Sequence, residues 1–246
     1  MTTANRAVAN VRQRARELMT QEILDAAEVQ LANVGAANLS LRAVARELGM
    51  ASSAVYRYVP SRDALLTALL LRAYRDLGKT LKTAEAQVPR EDLSGRMWKL
   101  MTTERRWALD NPQRWALLYG TPVPGYQAPN DTKDPAGTFF FLMAGVLRDA
   151  NWGHSKHAEK PELEVSGALP DNEAVASAIA WVQESLGVRA PGDVVASGIR
   201  VWSWMVGAIS AELWGHYVGI VDRLEEHYET GVEVALHVLG LRPHNT

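Results

Sequence analysis

Cysteine is absent from these 246 residues, which removes disulfides, thiolate nucleophiles, cysteine redox sensing and cysteine-based zinc fingers together. No stretch is apolar for long enough to cross a bilayer. The best candidate, Val201 to Leu213, covers about half a membrane thickness and contains Ser203, Ser210 and Glu212. The opening residues are polar and Arg-rich, with no apolar signal core, so a soluble, cytoplasmic protein without a membrane partner is expected. No G-x-S-x-G, P-loop or glycine-rich dinucleotide fingerprint occurs, and no segment has the two-residue period of a strand. An enzyme is therefore not expected, and no cofactor is implied. His154 and His157 lie three residues apart, yet Gly153, Ser155 and Lys156 around them read as loop, so no metal is expected there. His216, His227 and His237 are spread along the last helices and read as satisfied or interface histidines.

What is present is helical periodicity and, early in the chain, a local excess of cations. The formal charge is -2, so any nucleic-acid contact must be local. Arg6, Arg12, Arg14 and Arg16 supply such a patch, with Glu17 the first acid; a solvated tail and an arm lying along DNA are both open readings. From Leu39 to Leu66 the chain spells two short helices around a glycine, then starts a third. Ser40 is placed to cap the first, and Leu41, Val44, Ala45 and Leu48 share one face. Gly49 stops it. A second capped helix is expected from Ser52 or Ser53, burying Ala54, Val55 and Tyr58 or Val59 while Ser53, Tyr56 and Arg57 face solvent. That face is small, polar and basic, with no carboxylate between Gly49 and Arg62, and suits entry into a major groove. Pro60 breaks the chain, and Ser61 caps a helix that begins at Arg62.

The rest also reads as helices. Leu18, Ile23, Ala26, Ala27, Leu31 and Val34 mark one ending at Gly35, and the helix from Arg62 is expected to end at Gly78. Another follows Pro89 and closes at Asn111-Pro112, with Leu93, Met97, Leu100, Met101, Glu104 and Ala108 in register. Pro112 opens a short helix. Residues 120–135 read as a Pro-rich loop, Asp134-Pro135 starts a further helix, and 151–170 reads as a surface excursion. The last helices are expected at Asp171 to Leu186, Asp193 to about Tyr217, and Val221 to Leu239.

The residues Ile23-Leu24-Asp25-Ala26-Ala27, Leu31, Gly35, Leu39-Ser40-Leu41-Arg42, Val44-Ala45, Leu48-Gly49-Met50, Val55-Tyr56-Arg57-Tyr58 and Asp63-Ala64-Leu65-Leu66 resemble the DNA-binding domain of the TetR family. The resemblance implies an all-α fold: a three-helix helix-turn-helix domain, joined by a connecting helix to a larger helical effector-binding and dimerisation domain. The expected divisions are 1–17 (basic arm), 18–62 (reader) and 63–246. It further implies that Arg42, Ser52, Ser53, Ala54 and Arg57 approach bases of double-stranded operator DNA, while Thr20, Ser40, Tyr56, Tyr58 and Arg62 touch its sugar-phosphate backbone.

Asn111-Pro112, Trp115 to Pro122, Pro124-Gly125-Tyr126, Trp202, Gly207, Leu213 and Gly215-His216 resemble the C-terminal domain of the TetR subgroup named for a Trp-His-Gly motif, with Val206 where the motif His is expected. Apolar-sided last helices can meet a second copy across a twofold axis, and the resemblance implies that homodimer. Trp202, Met205, Ile209, Leu224, Tyr228, Val232 and Leu236 are the candidate interface. A dimer also sets two readers about one DNA turn apart, roughly 34 Å. The chain has 8 Trp and only 3 Phe. Trp98, Met101, Trp115, Tyr119, Tyr126, Phe140, Met143 and Trp181, with Arg105 as a charged contact, are candidates to line a small-molecule effector pocket; an ordinary packed core is the plainer reading. Two functions stay open: an effector-released repressor, or a dimeric DNA binder whose large domain docks another protein.

Overall fold

The computed structural model describes residues 3–150, 175–187 and 190–244, and every regular element among them is helical. By packing they form two units, Met1–Tyr74 with Gln113–Lys133, and Arg75–Pro112 with Asp134–Thr246. The 151–170 segment, with His154 and His157, lies outside the described residues.

The first unit contains α1 (Thr3–Val34), α2 (Leu41–Glu47), α3 (Ser52–Val55) and the first half of α4 (Arg62–Glu85). Its core joins Ile23, Ala27 and Leu31 of α1 to Leu41, Val44 and Ala45 of α2, Val55 and Val59, and Leu65, Leu66 and Leu69 of α4. Each fully buried Val, Leu or Ile among them contributes about 1.5–3 kcal/mol. Gly49, at φ 64, ends α2: the Met50 N–H donates to the Ala45 carbonyl at 2.8 Å, a closure that favours glycine. Ser61 caps α4, its Oγ accepting from the Ala64 N–H at 3.0 Å.

The other expected caps differ. Ser40 sits at the α2 N-cap position, but its side chain makes no capping bond; its own N–H donates to Gln30 Oε1. Ala51, not Ser52 or Ser53, precedes α3. The basic stretch 3–17 is not a separate arm, because α1 runs through it without Gly or Pro to interrupt. Nor does Gly78 end α4. A lone glycine costs a helix about 1 kcal/mol without breaking it, and here it lets α8 (Thr138–Asp149) come close: a Cβ on Gly78 would lie 3.0 Å from Thr138 Cγ2.

After α6 (Pro112–Tyr119), the Pro-rich stretch returns to the reader core, against which Leu117, Val123 and Tyr126 pack. Tyr126 Oη lies 2.9 Å from Thr67 Oγ1, and Arg114 donates twice to Glu28, at 3.1 and 2.7 Å. The boundary expected at 62 therefore moves. Residues 63–74 and 113–133 pack with the reader.

The second unit holds α5 (Leu93–Asp110), α7 (Lys133–Ala136), α8, α9 (Ala176–Leu186), α10 (Gly192–Leu213) and α11 (Leu224–Val238). Asp92 caps α5 by accepting from the Gly95 N–H at 2.7 Å. The α5 face of Met97, Leu100, Met101 and Ala108 is buried, as are Met143, Val146 and Leu147 of α8, Val201, Met205 and Ile209 of α10, and Tyr228, Val232 and Leu236 of α11. Arg96, almost fully buried, binds Glu85 at 2.6 Å and Asp149 at 2.9 Å and so ties α4, α5 and α8. Burial raises the Asp149 carboxyl, but its bond to Arg96 and the charges of Arg90 and Arg96 outweigh that and hold it below the ordinary value.

The last helices are shorter than expected. Gly215 at φ 74, with the His216 N–H donating to Ala211, ends α10 at Leu213, and α11 begins at Leu224. The expectation that no stretch is apolar for long enough to cross a bilayer is corrected by α10, which is long and apolar enough by length and hydropathy alone. Its inner face is nevertheless core, and Glu212 near its end is paired with Arg105.

Candidate DNA-reading surface and effector-domain core

The reader surface is built by two turns of helix held from behind. Val55 and Val59 anchor α3 in the core, and the backbone bonds Tyr56 to Ser52, Tyr58 to Val55 and Val59 to Val55 extend its helical path. Ser53, Tyr56 and Arg57 are thereby exposed, as is Arg42 on α2, whereas Ser52, Ala54 and Tyr58 are half-buried. Arg16 braces this helix: its guanidinium donates to the Arg57 carbonyl at 3.2 Å and lies 5.9 Å from the Tyr58 ring centre. Thr20 turns its hydroxyl to the Arg16 carbonyl at 2.9 Å.

Arg62, expected at the sugar-phosphate backbone, is also engaged within the protein. Its Nε donates to the Leu39 carbonyl at 3.1 Å, and its Nη2 donates to Ala36 and Ala37 at 3.0 and 2.8 Å. Those carbonyls lie between α1 and α2, where Ala36 also accepts from the Leu39 N–H at 3.4 Å, so Arg62 locks the turn that leads into α2. Sequence reasoning missed this role because it depends on two segments far apart in the chain.

The expected pocket residues divide between the units. Trp115, Tyr119 and Tyr126 belong to the first: the buried Trp115 packs on Tyr119 at 4.4 Å, Tyr119 meets Tyr74 edge-on, and Tyr126 bonds Thr67. These three side chains are packed within the reader unit. In the second unit, Phe140 and Trp181 meet Trp202 in one aromatic group; Phe140 lies 5.2 Å from Trp202 and 6.5 Å from Trp181. Met143 is buried on the same helix, its Cε 2.7 Å from where a Cβ on Gly198 would stand. Trp98 instead stacks on His244 at 5.2 Å, and Met101 lies fully buried with its carbonyl accepting from the Tyr228 hydroxyl at 3.0 Å.

Arg105 turns inward. It grips Glu212 through two bonds of 2.7 Å and lies over the Tyr228 ring at 5.4 Å. The bond to Glu212 raises its pKa, so its charge is secure. One turn before Ala108 on the same helix sits Glu104, wholly buried, with neither carboxylate oxygen hydrogen-bonded among the described residues. Burial pushes its pKa up to about 8. Burial and the nearby Glu104 also push the Tyr228 phenol well above its ordinary value.

The expected dimer residues need a correction too. Met205, Ile209, Tyr228, Val232 and Leu236 are buried inside a single copy and have no surface to offer a partner. Trp202 and Leu224 are half-buried. The helices α10 and α11 have a second apolar side, on which Trp204, Trp214, Val234 and Val238 are exposed. Periodicity alone does not rank two apolar stripes on one helix.

A helix-turn-helix with a basic, carboxylate-free outer face, followed by a larger all-helical unit, defines a DNA-binding transcriptional regulator. Residues 23–69 match the family described as bacterial regulatory proteins, tetR family, and residues 98–235 match the tetracyclin repressor-like C-terminal domain. The chain belongs to the TetR family of transcriptional regulators. It is 39% identical over 206 residues to the HTH-type transcriptional regulator Rv1816 of Mycobacterium tuberculosis, covering 84% of this chain and 85% of that one. The crystal structure of the regulatory protein SCO4313 is similar over 91% of this chain and 98% of that chain, with 32% identity and a TM-score of 0.72. A protein from Rhodococcus sp. RHA1 shares the fold at 20% identity, over 90% of this chain and 94% of that one, with a TM-score of 0.63.

Proposed function

We propose that this regulator is a cytoplasmic homodimer that binds a near-palindromic duplex operator as a repressor and is released by a small apolar or aromatic effector. The observation that carries the DNA reading is the exposed Arg42, Ser53, Tyr56 and Arg57 surface, with α3 anchored behind it by Val55 and Val59. Arg42 and Arg57 read base edges, with Ser52, Ser53 and Ala54 allowing close approach; Thr20, Ser40, Tyr56, Tyr58 and Arg62 lie toward the backbone. Selection from randomised duplexes supplies the operator. Arg57→Ala is then expected to relax base choice at one position per half-site, at about 1–3 kcal/mol for each bidentate pair lost. Equal loss on operator and random DNA would show that Arg57 holds only phosphate.

The outward side of α10 and α11, with Trp204, Trp214, Val234 and Val238, supports the dimer, since a monomer rarely leaves such a patch bare. Trp204 is seated there by stacking on Tyr228 at 5.6 Å. Val234→Arg is expected to give monomers by light scattering and to weaken operator binding steeply. An unchanged dimer would move the interface elsewhere. The group of Phe140, Met143, Trp181 and Trp202 is where the effector reading finds most support, and Trp at Met143 is expected to abolish induction while leaving operator affinity intact. A second reading, docking of another protein, draws on the turn after α10, where Val218 and Ile220 are strongly exposed.

A further inference from the structure

The second half of α4 carries Arg75, Lys79 and Lys82, spaced by four and then three residues, so all three project from one side of the helix. Each is exposed, and none forms a salt bridge among the described residues. Together with Gly78 and Thr83 they line a groove of about 560 Å³, whose other wall is Asp134, Pro135, Thr138 and Phe141 at the α7–α8 corner. That size falls in the range of small-molecule sites.

Two features make this more than a solvated helix face. The first is a charge imbalance: three cations face a single acid, Asp134, in a chain whose overall charge is -2. Like charges held along one face repel, and an anion between them relieves that repulsion. The second is the opposite wall. Pro135 and the Phe141 ring present apolar surface, and Phe141 is held in place by Trp181, whose ring lies 4.4 Å away at an interplanar angle of 36°. The closeness that Gly78 allows brings this wall and the cations into one concavity.

We propose that this groove binds a small amphipathic organic anion, with its carboxylate or phosphate among Arg75, Lys79 and Lys82 and an aryl or short acyl body against Pro135 and Phe141. The ligand class follows from the pairing of walls: a simple inorganic anion leaves the apolar side unused, and a neutral hydrocarbon leaves the cations unmet. Thr83 and Thr138 add hydroxyls at the rim; Thr138 donates to the Pro135 carbonyl, so its lone pairs remain free to accept. The inference does not depend on effector release of DNA, because occupancy is measured on the protein alone.

The test is isothermal titration of the full-length protein with phenylbutyrate, its neutral amide phenylbutanamide, and inorganic phosphate. Phenylbutyrate is expected to bind more tightly than either control, with an affinity that falls as salt is raised. Lys79→Gln and Lys82→Gln are each expected to weaken it roughly fivefold, and Thr83→Trp to block it by filling the groove from an exposed position. Circular dichroism of the variants guards against loss of fold. Absence of phenylbutyrate binding at millimolar concentration overturns the proposal, as does equal binding of the amide, equal binding of phosphate, or indifference to all three substitutions. A lower salt slope for DNA binding in the Lys79→Gln, Lys82→Gln double variant, with no phenylbutyrate binding to the wild type, would overturn it and reassign the cations to DNA phosphates.

Discussion

Glu104 offers the sharpest physical test of the large helical unit. Its carboxyl is wholly buried and unpartnered among the described residues, and its pKa of about 8 lies far above the ordinary 4.5. The sign follows from proton counting. Between those two values the folded protein holds a proton that the unfolded chain has released, so stability falls as pH rises, by about 1.4 kcal/mol per pH unit. From pH 5 to pH 7 the loss is about 3 kcal/mol, an upper figure because water penetration lessens it. The groups facing Glu104 do not reverse this. Tyr228 is shifted further up and stays a neutral phenol, and Arg105 stays charged against Glu212. Glu104→Gln keeps the shape and cannot ionise, so urea denaturation of the variant from pH 5 to pH 8 should show a flatter profile than the wild type. The difference between the two curves is the measurement, since it cancels every other titrating group. Glu104→Met, which removes the buried polar atoms, should be more stable than the wild type at pH 8 by several kcal/mol. Parallel profiles for wild type and Gln variant would refute the reasoning, and would mean that Glu104 is hydrated or paired in solution.

Two other perturbations follow from the same structure. Arg62→Ala removes three bonds to backbone carbonyls, each worth about 1.5–3 kcal/mol as a charged hydrogen bond, and should lower the melting temperature of the protein; its DNA-binding salt slope should also fall by roughly one if the side chain additionally meets phosphate, and stay unchanged if it does not. Arg96→Ala leaves Glu85 and Asp149 without their shared buried partner and should cost about 3–5 kcal/mol in denaturant titration, whereas a loss below 1 kcal/mol would show that Arg90 suffices.

Local chemistry is what the sequence determined. Helix periods, the turn at Gly49, the Ser61 cap and the small basic face from Ser53 to Arg57 depend on neighbours within about one or two turns, and those neighbours are adjacent in the chain. Even Glu104 left a trace, as the one acid in register with Met97, Leu100, Met101 and Ala108; periodicity placed it on the apolar face but cannot say whether a buried carboxyl finds a partner. Tertiary structure decided what lies between distant segments. That the strap of 113–133 packs with the reader, with Tyr126 against its core, is not written in the type or period of its aromatics. Arg62's hold on the carbonyls of 36, 37 and 39 depends on segments that only the fold brings within its reach. Met205 and Tyr228 read as dimer residues because each of the last two helices has two apolar sides, and only their packing against α5 shows which side is already covered. A side chain's type and period are fixed by its own chain segment, whereas its partner is set by how helices many residues apart fill space together.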